Sequence, residues 1–173
     1  MRRKLSSTHA FVALGANLPS NEGAPEETLR RAIAALIPLS QHLPVISGFY
    51  ESDPKDCPPG SPQYVNAVVA LMPRPDEDPF SLLHKLQQIE DKYGRARSGV
   101  RNEARTLDLD LLTFGTVVCN TPELTLPHPR AHERRFVLQP WMEIAGENWK
   151  LNGKPLSHLL LECQDPPLHR LAD

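Results

Sequence analysis

Apolar and polar positions divide this chain into a short series of regular elements. Residues 10–14 (AFVAL) are an unbroken apolar run and read as a short buried strand. Gly15-Ala16-Asn17-Leu18-Pro19 follows as a turn. Over 26–39, Leu29, Ile33, Leu36 and Leu39 recur at helical spacing, with acids in the first turn, and predict a helix. Residues 43–51 read as a strand through Val45, Ser47 and Phe49, and 53–62, with four prolines and a glycine, as a stiff loop. Residues 63–72 (QYVNAVVALM) alternate as a strand does. A second helix is expected over 79–93, with Asp78 as its cap, Pro79 in its first position and Gly94 at its end. Residues 95–105 are polar and basic without apolar period, a loop, and 106–114 (TLDLDLLTF) return to strand alternation. Asn152-Gly153 marks a hairpin turn, and 156–163 a last short helix.

The first part therefore runs β-α-β-β-α-β, the ferredoxin-like order. It predicts an α+β sandwich, an antiparallel sheet with helices packed on one face and the other face free for a ligand. One domain is expected over 1–173, with a core at about 10–145 and a C-terminal hairpin and short helix in 146–173. This fold hosts unrelated functions and by itself names no chemistry.

Composition removes several classes. The formal net charge of −2 gives no global field for nucleic acid or an anionic membrane, so a polyanion would need a local basic cluster. Three cysteines, Cys57, Cys119 and Cys163, lack CxxC or Cys/His spacing; a reducing cytosol fits them better than a disulfide framework or a zinc site. Arg2-Arg3 raises a twin-arginine signal, but the apolar run after it is too short and is broken by Gly15 and Asn17. No stretch has the ~18 apolar residues of a membrane span.

The most informative segment is Thr106-Leu107-Asp108-Leu109-Asp110-Leu111. Alternation puts the three leucines on the core face and both aspartates on the other, their Cα atoms about 6–7 Å apart. A divalent cation between them would relieve their repulsion, and magnesium takes one or two carboxylates plus substrate phosphates. A solvated polar strand face stays open as the alternative. Arg95, Arg97, Arg101 and Arg105 lead straight into this strand and suit phosphate oxygens. A solvated basic loop would have the same composition. A second basic stretch runs from Thr125 through His128 to Arg134 and Phe136; His128 is either a phosphate donor or an ordinary surface histidine. Tyr64 and Asn66 share a strand face, where an aromatic and an amide can hold a flat heterocycle, or simply meet solvent. Glu90 lies near the apolar stripe of its helix and either orients an arginine of the loop or makes a surface pair. The Gly15 turn lacks the Gly-Lys-Ser/Thr of a P-loop.

Taken in order, AFVALGANL, GFYESDP, QYVNAVVAL, LQQIEDKYGRAR, RTLDLDLLTFG and LTLPHPRAHERRFVLQPWMEIA resemble the 6-hydroxymethyl-7,8-dihydropterin pyrophosphokinases, over about 10–145. The resemblance implies a monofunctional enzyme that transfers pyrophosphate from ATP to the pterin hydroxymethyl group. It implies that Asp108 and Asp110 hold two Mg2+ ions and that Arg95 and Arg105 contact phosphates at the reacting centre. Gln87, Arg97, Arg101, Thr125, His128 and Arg134 match positions around ATP. Tyr64, Asn66 and Phe136 match positions around the pterin, and Ser52 and Pro54 the loop that lends main-chain groups to its edge. The implied partners are these two small molecules, with no nucleic acid and no membrane, in a cytoplasmic monomer. Departures are Asn102-Glu103-Ala104 where the family often has Trp-Gly-Pro, Pro129 where tyrosine is common, and Glu123 where a basic nucleotide contact can occur. A phosphohydrolase on the same fold and a ferredoxin-like RNA-binding module stay open as other readings; weak aromatic content and the negative charge speak against the second.

Overall fold

The computed structural model describes residues 4–17, 20–53, 62–94 and 106–172. In chain order its elements are β1 (Ala10–Ala16), α1 (Pro25–Leu36), β2 (Val45–Ile46), β3 (Tyr50–Ser52), β4 (Tyr64–Leu71), α2 (Pro79–Tyr93), β5 (Leu107–Phe114), β6 (Cys119–Asn120), β7 (Thr125–Leu126), α3 (Arg135–Ala145), β8 (Lys150–Leu151), β9 (Lys154–Pro155), α4 (Leu156–Glu162) and β10 (His169–Arg170). The main sheet has the order β10-β3-β4-β1-β5, with β2 also on β4, and every pairing is antiparallel. The order of β3, β4, β1 and β5 is the ferredoxin-like one expected from the sequence. Two small hairpins, β6-β7 and β8-β9, stand apart from it.

β1 sits between β4 and β5 and is buried along most of its length, which is why AFVALGA carries no polar alternation. Val12, Leu14, Leu107, Leu109 and Leu111 point to one face and pack under α1 and α2 through Leu29, Leu36, Leu82 and Leu86. Each such side chain, fully buried, contributes about 1.5–3 kcal/mol. Asp78 caps α2 by accepting from the Ser81 amide at 2.9 Å, and Gly94 closes it by donating to the Glu90 carbonyl at 2.8 Å.

The opposite face is only partly free. α3 lies across it, with Val137, Leu138 and Trp141 packed on Phe11, Val68 and Ala70, and α4 adds Leu156 and Leu159. The two helices of the β-α-β-β-α-β unit do share one face; α3 is the addition that the sequence pattern left unassigned. Pro140 lies inside it and breaks the sequence signal, since proline removes one helical hydrogen bond. Burial of Pro140 and Trp141 against the sheet outweighs that loss.

Other boundaries move for local reasons. Gly15 and Ala16, read as turn, continue β1. The strand expected over 43–51 is split into β2 and β3 at Ser47-Gly48. There the Ser47 hydroxyl accepts from the Val68 amide at 2.9 Å, replacing a ladder carbonyl. α1 stops at Leu36 and tightens into a 3-10 turn over Ile37–Leu39, because Pro38 has no N–H to continue the ladder.

α3 is bolted to β3 through Glu143. Its carboxylate accepts from the Tyr50 hydroxyl at 2.6 Å, the Gly48 amide at 2.8 Å and Arg170 Nε at 3.3 Å. Burial alone would raise the Glu143 carboxyl, but these three donors together hold it below its ordinary value. Burial and the adjacent carboxylate push the Tyr50 hydroxyl up to about 12. A carboxyl depressed on folding stabilises the protein above its unfolded value of 4.5 and loses that contribution as pH falls through its folded value. Glu143→Ala should therefore cost about 2 kcal/mol near neutral pH, the scale of hydrogen bonds to a charged group. The gap between wild type and variant should narrow as pH falls from neutral to below the unfolded value of 4.5. Thermal unfolding across that range checks it; a gap that does not change with pH would count against the ion's role.

Candidate active site

The free part of the second sheet face forms a cleft of about 360 Å³, a size suited to a small molecule. Register decides what it presents. Asn66 on β4 pairs with Gly15 on β1, which pairs with Asp108 on β5; the next row places Ala13 opposite Asp110. With strands ~4.8 Å apart, Asn66 and Asp108 stand roughly 10 Å apart across a floor of glycine and alanine. Tyr64, Ser52 and Asp53 close one end, and Phe136, Val137, Arg134, Glu133 and Arg130 form the wall over it.

Asn66 is almost fully buried, and its amide is not free to turn. Nδ2 donates to the Tyr50 carbonyl at 3.0 Å and to Ser52 Oγ at 2.8 Å. A flipped amide would set its oxygen against the Tyr50 carbonyl, so the network fixes Oδ1 as the group that faces Gly15. The amide therefore offers the cleft one acceptor. A Cβ on Gly15 would lie 3.4 Å from that oxygen and 3.8 Å from the Tyr64 ring. Gly15 is thus part of the site, and the reading of it as a mere turn missed this.

At the other end, Asp108 is exposed and Asp110 half-buried on the face of β5 that the alternation gave them. β5 is an edge strand, and Glu90 of α2 supports its outer side: its buried carboxylate accepts the amide of Leu109, between the two aspartates, at 2.9 Å. Leu112 is the extra residue of a bulge opposite Phe11 and Val12, and its carbonyl accepts the His128 amide at 2.8 Å. That places His128 near Asp110. Burial lowers the His128 pKa; Asp110 pulls it upward, but Arg134 and Arg130 reinforce the fall. Its Nδ1 accepts the Arg130 amide at 3.2 Å, so the neutral ring carries its proton on Nε2. Arg134 also lies over the Phe136 ring, 5.6 Å from its centre.

Of the residues singled out in the sequence, Ser52, Tyr64, Asn66, Asp108, Asp110, Arg134 and Phe136 line this one cleft, and His128 stands beside it. Gln87, exposed on α2, and Thr125, in β7, lie outside its lining. Pro54, Arg95, Arg97, Arg101 and Arg105 lie outside the described residues. Of the described residues on either side of the last four, the Thr106 amide and hydroxyl both donate to the Gly94 carbonyl. Glu123, which stood where a basic contact can occur, pairs with His84 of α2 at 2.6 Å. Arg130 and Glu133 were missed as lining residues; the sequence signal was the basic stretch around them, which does not say which side chains turn inward.

The sequence pattern of the 7,8-dihydro-6-hydroxymethylpterin-pyrophosphokinase family matches residues 11–146. This chain belongs to that family. The 2-amino-4-hydroxy-6-hydroxymethyldihydropteridine pyrophosphokinase of Haemophilus influenzae is 38% identical over 163 residues, covering 94% of this chain and 97% of that protein. The protein of the same name from Bacillus subtilis is 41% identical over 139 residues, covering 78% of this chain and 77% of its own length. Among solved structures, Plasmodium falciparum HPPK-DHPS with pteroate superposes with a TM-score of 0.64 over 89% of this chain. This chain spans 42% of that protein, and at 14% identity the likeness shows the fold alone.

In this member of the pterin-pyrophosphokinase family, the bare Gly15 floor makes a sharp test of the cleft. Gly15→Ala should weaken pterin binding by about tenfold, because the methyl group crowds both the Asn66 acceptor and the ligand plane. The unfolding temperature should change little, since Gly15 does not need a left-handed backbone. Calorimetry with pterin and with ATP checks it; unchanged pterin affinity would mean that the ligand does not lie on this floor.

Proposed function

We propose that this chain transfers the terminal diphosphate of ATP to the hydroxymethyl oxygen of 6-hydroxymethyl-7,8-dihydropterin and releases AMP, a step of folate biosynthesis. The observation that supports it most is the shared floor. One row across Gly15 joins an anchored amide acceptor to a carboxylate, so a heterocycle and a phosphate chain can lie side by side on it. In this reading residues 1–173 act as one domain, in a cytoplasmic monomer whose partners are these two small molecules and not nucleic acid or a membrane. Among the described residues no helix is long and apolar enough to cross a membrane.

At the pterin end, Asn66 Oδ1 accepts an N–H of the ring edge. Tyr64 and Phe136 flank the ring faces, and Ser52 and Pro54 offer main-chain groups to the same edge. At the phosphate end, Asp108 and Asp110 hold two Mg2+ ions. Their chemistry fits: two carboxylates open onto a cleft, and among the described residues no group of three His, Cys, Asp or Glu side chains is placed to hold a metal ion by itself. Magnesium needs only one or two carboxylates and completes its shell with water and phosphate. When bound, the ions neutralise triphosphate charge and polarise its oxygens.

Arg134, Arg130 and His128 Nε2–H donate to phosphate oxygens from the α3 side. Arg95 and Arg105 take the transferred group and the departing AMP, and Gln87, Arg97, Arg101 and Thr125 surround ATP. The pterin hydroxyl oxygen forms a bond to the β-phosphorus, and the bond from that phosphorus to the α,β-bridging oxygen breaks. AMP keeps the bridging oxygen, and the hydroxyl proton passes to solvent. Glu90 keeps the two aspartates in register by holding the amide between them.

Two outcomes test this. A mixture of ATP, magnesium and the hydroxymethyl pterin should give AMP and pterin diphosphate in equal amounts, with little AMP when pterin is left out. Chromatography showing ADP as the main nucleotide, or AMP formed equally fast without pterin, would mean ordinary kinase or hydrolase chemistry. Asp110→Ala should lower turnover by about a thousandfold, the scale of losing charge stabilisation at a reacting group. Because Asp110 does not face the helical layer of the core, its unfolding temperature should stay near that of the wild type. Near-normal turnover at saturating magnesium would remove Asp110 from the metal site.

A further inference from the structure

The segment after α4, residues 163–171, lies beyond the 11–146 match to the family and returns across the pterin end of the cleft. It touches both walls of that end. On one side it meets the start of α3. Arg134 is the N-cap of that helix and makes no side-chain cap bond. Asp165 supplies the missing acceptor from thirty positions away: its Oδ2 accepts the Arg135 amide at 3.2 Å. The Arg135 side chain returns the contact, donating to the Asp165 carbonyl at 3.0 Å and the Cys163 carbonyl at 3.2 Å. A carboxylate at a helix N-terminus is favoured by the helix dipole as well as by the hydrogen bond. The next residue of the helix is Phe136.

On the other side the segment covers the outer edge of β3. β10 pairs with it, His169 opposite Glu51 and Arg170 opposite Tyr50, and the Leu171 amide donates to the Phe49 carbonyl at 2.8 Å. Arg170 also reaches Glu143 at 3.3 Å, passing so close to Gly48 that a Cβ there would lie 2.5 Å from its guanidinium. β3 carries Ser52, whose hydroxyl anchors the Asn66 amide, and Tyr50, whose carbonyl does the same. Between the two attachments, Asp165, Pro166 and Leu168 share a small cavity of about 90 Å³ with Ser52, Asp53, Arg135 and Phe136.

We propose that residues 163–171 form a strap that sets the width of the pterin end, with Asp165 as a positioning residue acting through Phe136 and Arg170 acting through β3. This rests on the reading that Phe136 and Asn66 hold the pterin. The strap contacts described above meet the start of α3, Glu143 and β3, all at the pterin end, so the strap acts on pterin recognition.

Steady-state kinetics and calorimetry on the full chain test it. Asp165→Ala should raise the pterin KM and Kd by about tenfold, a fold-change in the range of a lost helix cap, with kcat and the ATP KM within about twofold of wild type. Asp165→Asn keeps an acceptor oxygen and should recover most of the affinity. Gly48→Ala displaces Arg170 without touching Asp165 and should raise the pterin KM in the same selective way, which keeps the test open if Asp165→Ala does not fold. Phe136→Ala is measured beside them. If it weakens pterin while folded Asp165→Ala and Gly48→Ala leave the pterin KM within twofold of wild type, the strap role is wrong and the site stands. Equal rises in the pterin and ATP KM values would also overturn it. Unchanged pterin affinity in Phe136→Ala would remove the site reading itself, and the strap role with it.

Discussion

The pairing of β1 with β4 on one side and β5 on the other fixes where each polar side chain of the cleft sits. Side chains alternate with a period of two, so a slip of one residue would bury Asp108 and Asp110 under α1 and α2 and expose the leucines between them. The apolar layer prevents that slip. Val12, Leu14, Leu107, Leu109 and Leu111 must all lie beneath the same two helices, and only one register allows it. The price of that layer is small side chains on the opposite face of β1, where Ala13 and Gly15 leave room for a ligand.

Around that floor, polar groups are held by other polar groups and not left to solvent. Asn66 is locked by a carbonyl and a hydroxyl of β3, and β3 is locked by Glu143 from α3 through Tyr50 and Gly48. Glu90 does similar work for β5 from the other layer, using the unpaired edge of that strand. A carboxylate drawn out of water is costly unless it is hydrogen-bonded; Glu143 accepts three hydrogen bonds and Glu90 accepts the Leu109 amide, each where a helix is tied to a strand of the site. The cleft is preorganised in the sense that its acceptor and its carboxylates are aimed before any ligand arrives, so less ordering has to accompany binding.

The bulge at Leu112 and the hairpin β6-β7 bring the chain back so that His128, Arg130 and Arg134 stand over the aspartates. Positive and negative groups then face one another across a narrow space. Burial and the two arginines keep His128 inclined to neutrality, which leaves it a donor through Nε2 and spares the wall a further buried charge.

The sequence by itself determined the local periods: helices at α1 and α2, the second with its caps, the alternation of β4 and β5, and therefore the fact that Asp108 and Asp110 share a face. It also carried the segment order through which the family resemblance was legible. These properties depend on residues within one or two turns of each other, so they are written in short stretches of chain. The tertiary structure alone decided that Gly15 is floor and not turn, that Asn66 offers only its oxygen, that α3 forms across Pro140, and that Asp165 caps a helix thirty residues before it. Each of these follows from a partner distant in sequence, reached by strand pairing or by burial against the sheet. No local pattern encodes such a partner, because the free energy that selects it belongs to the packed whole.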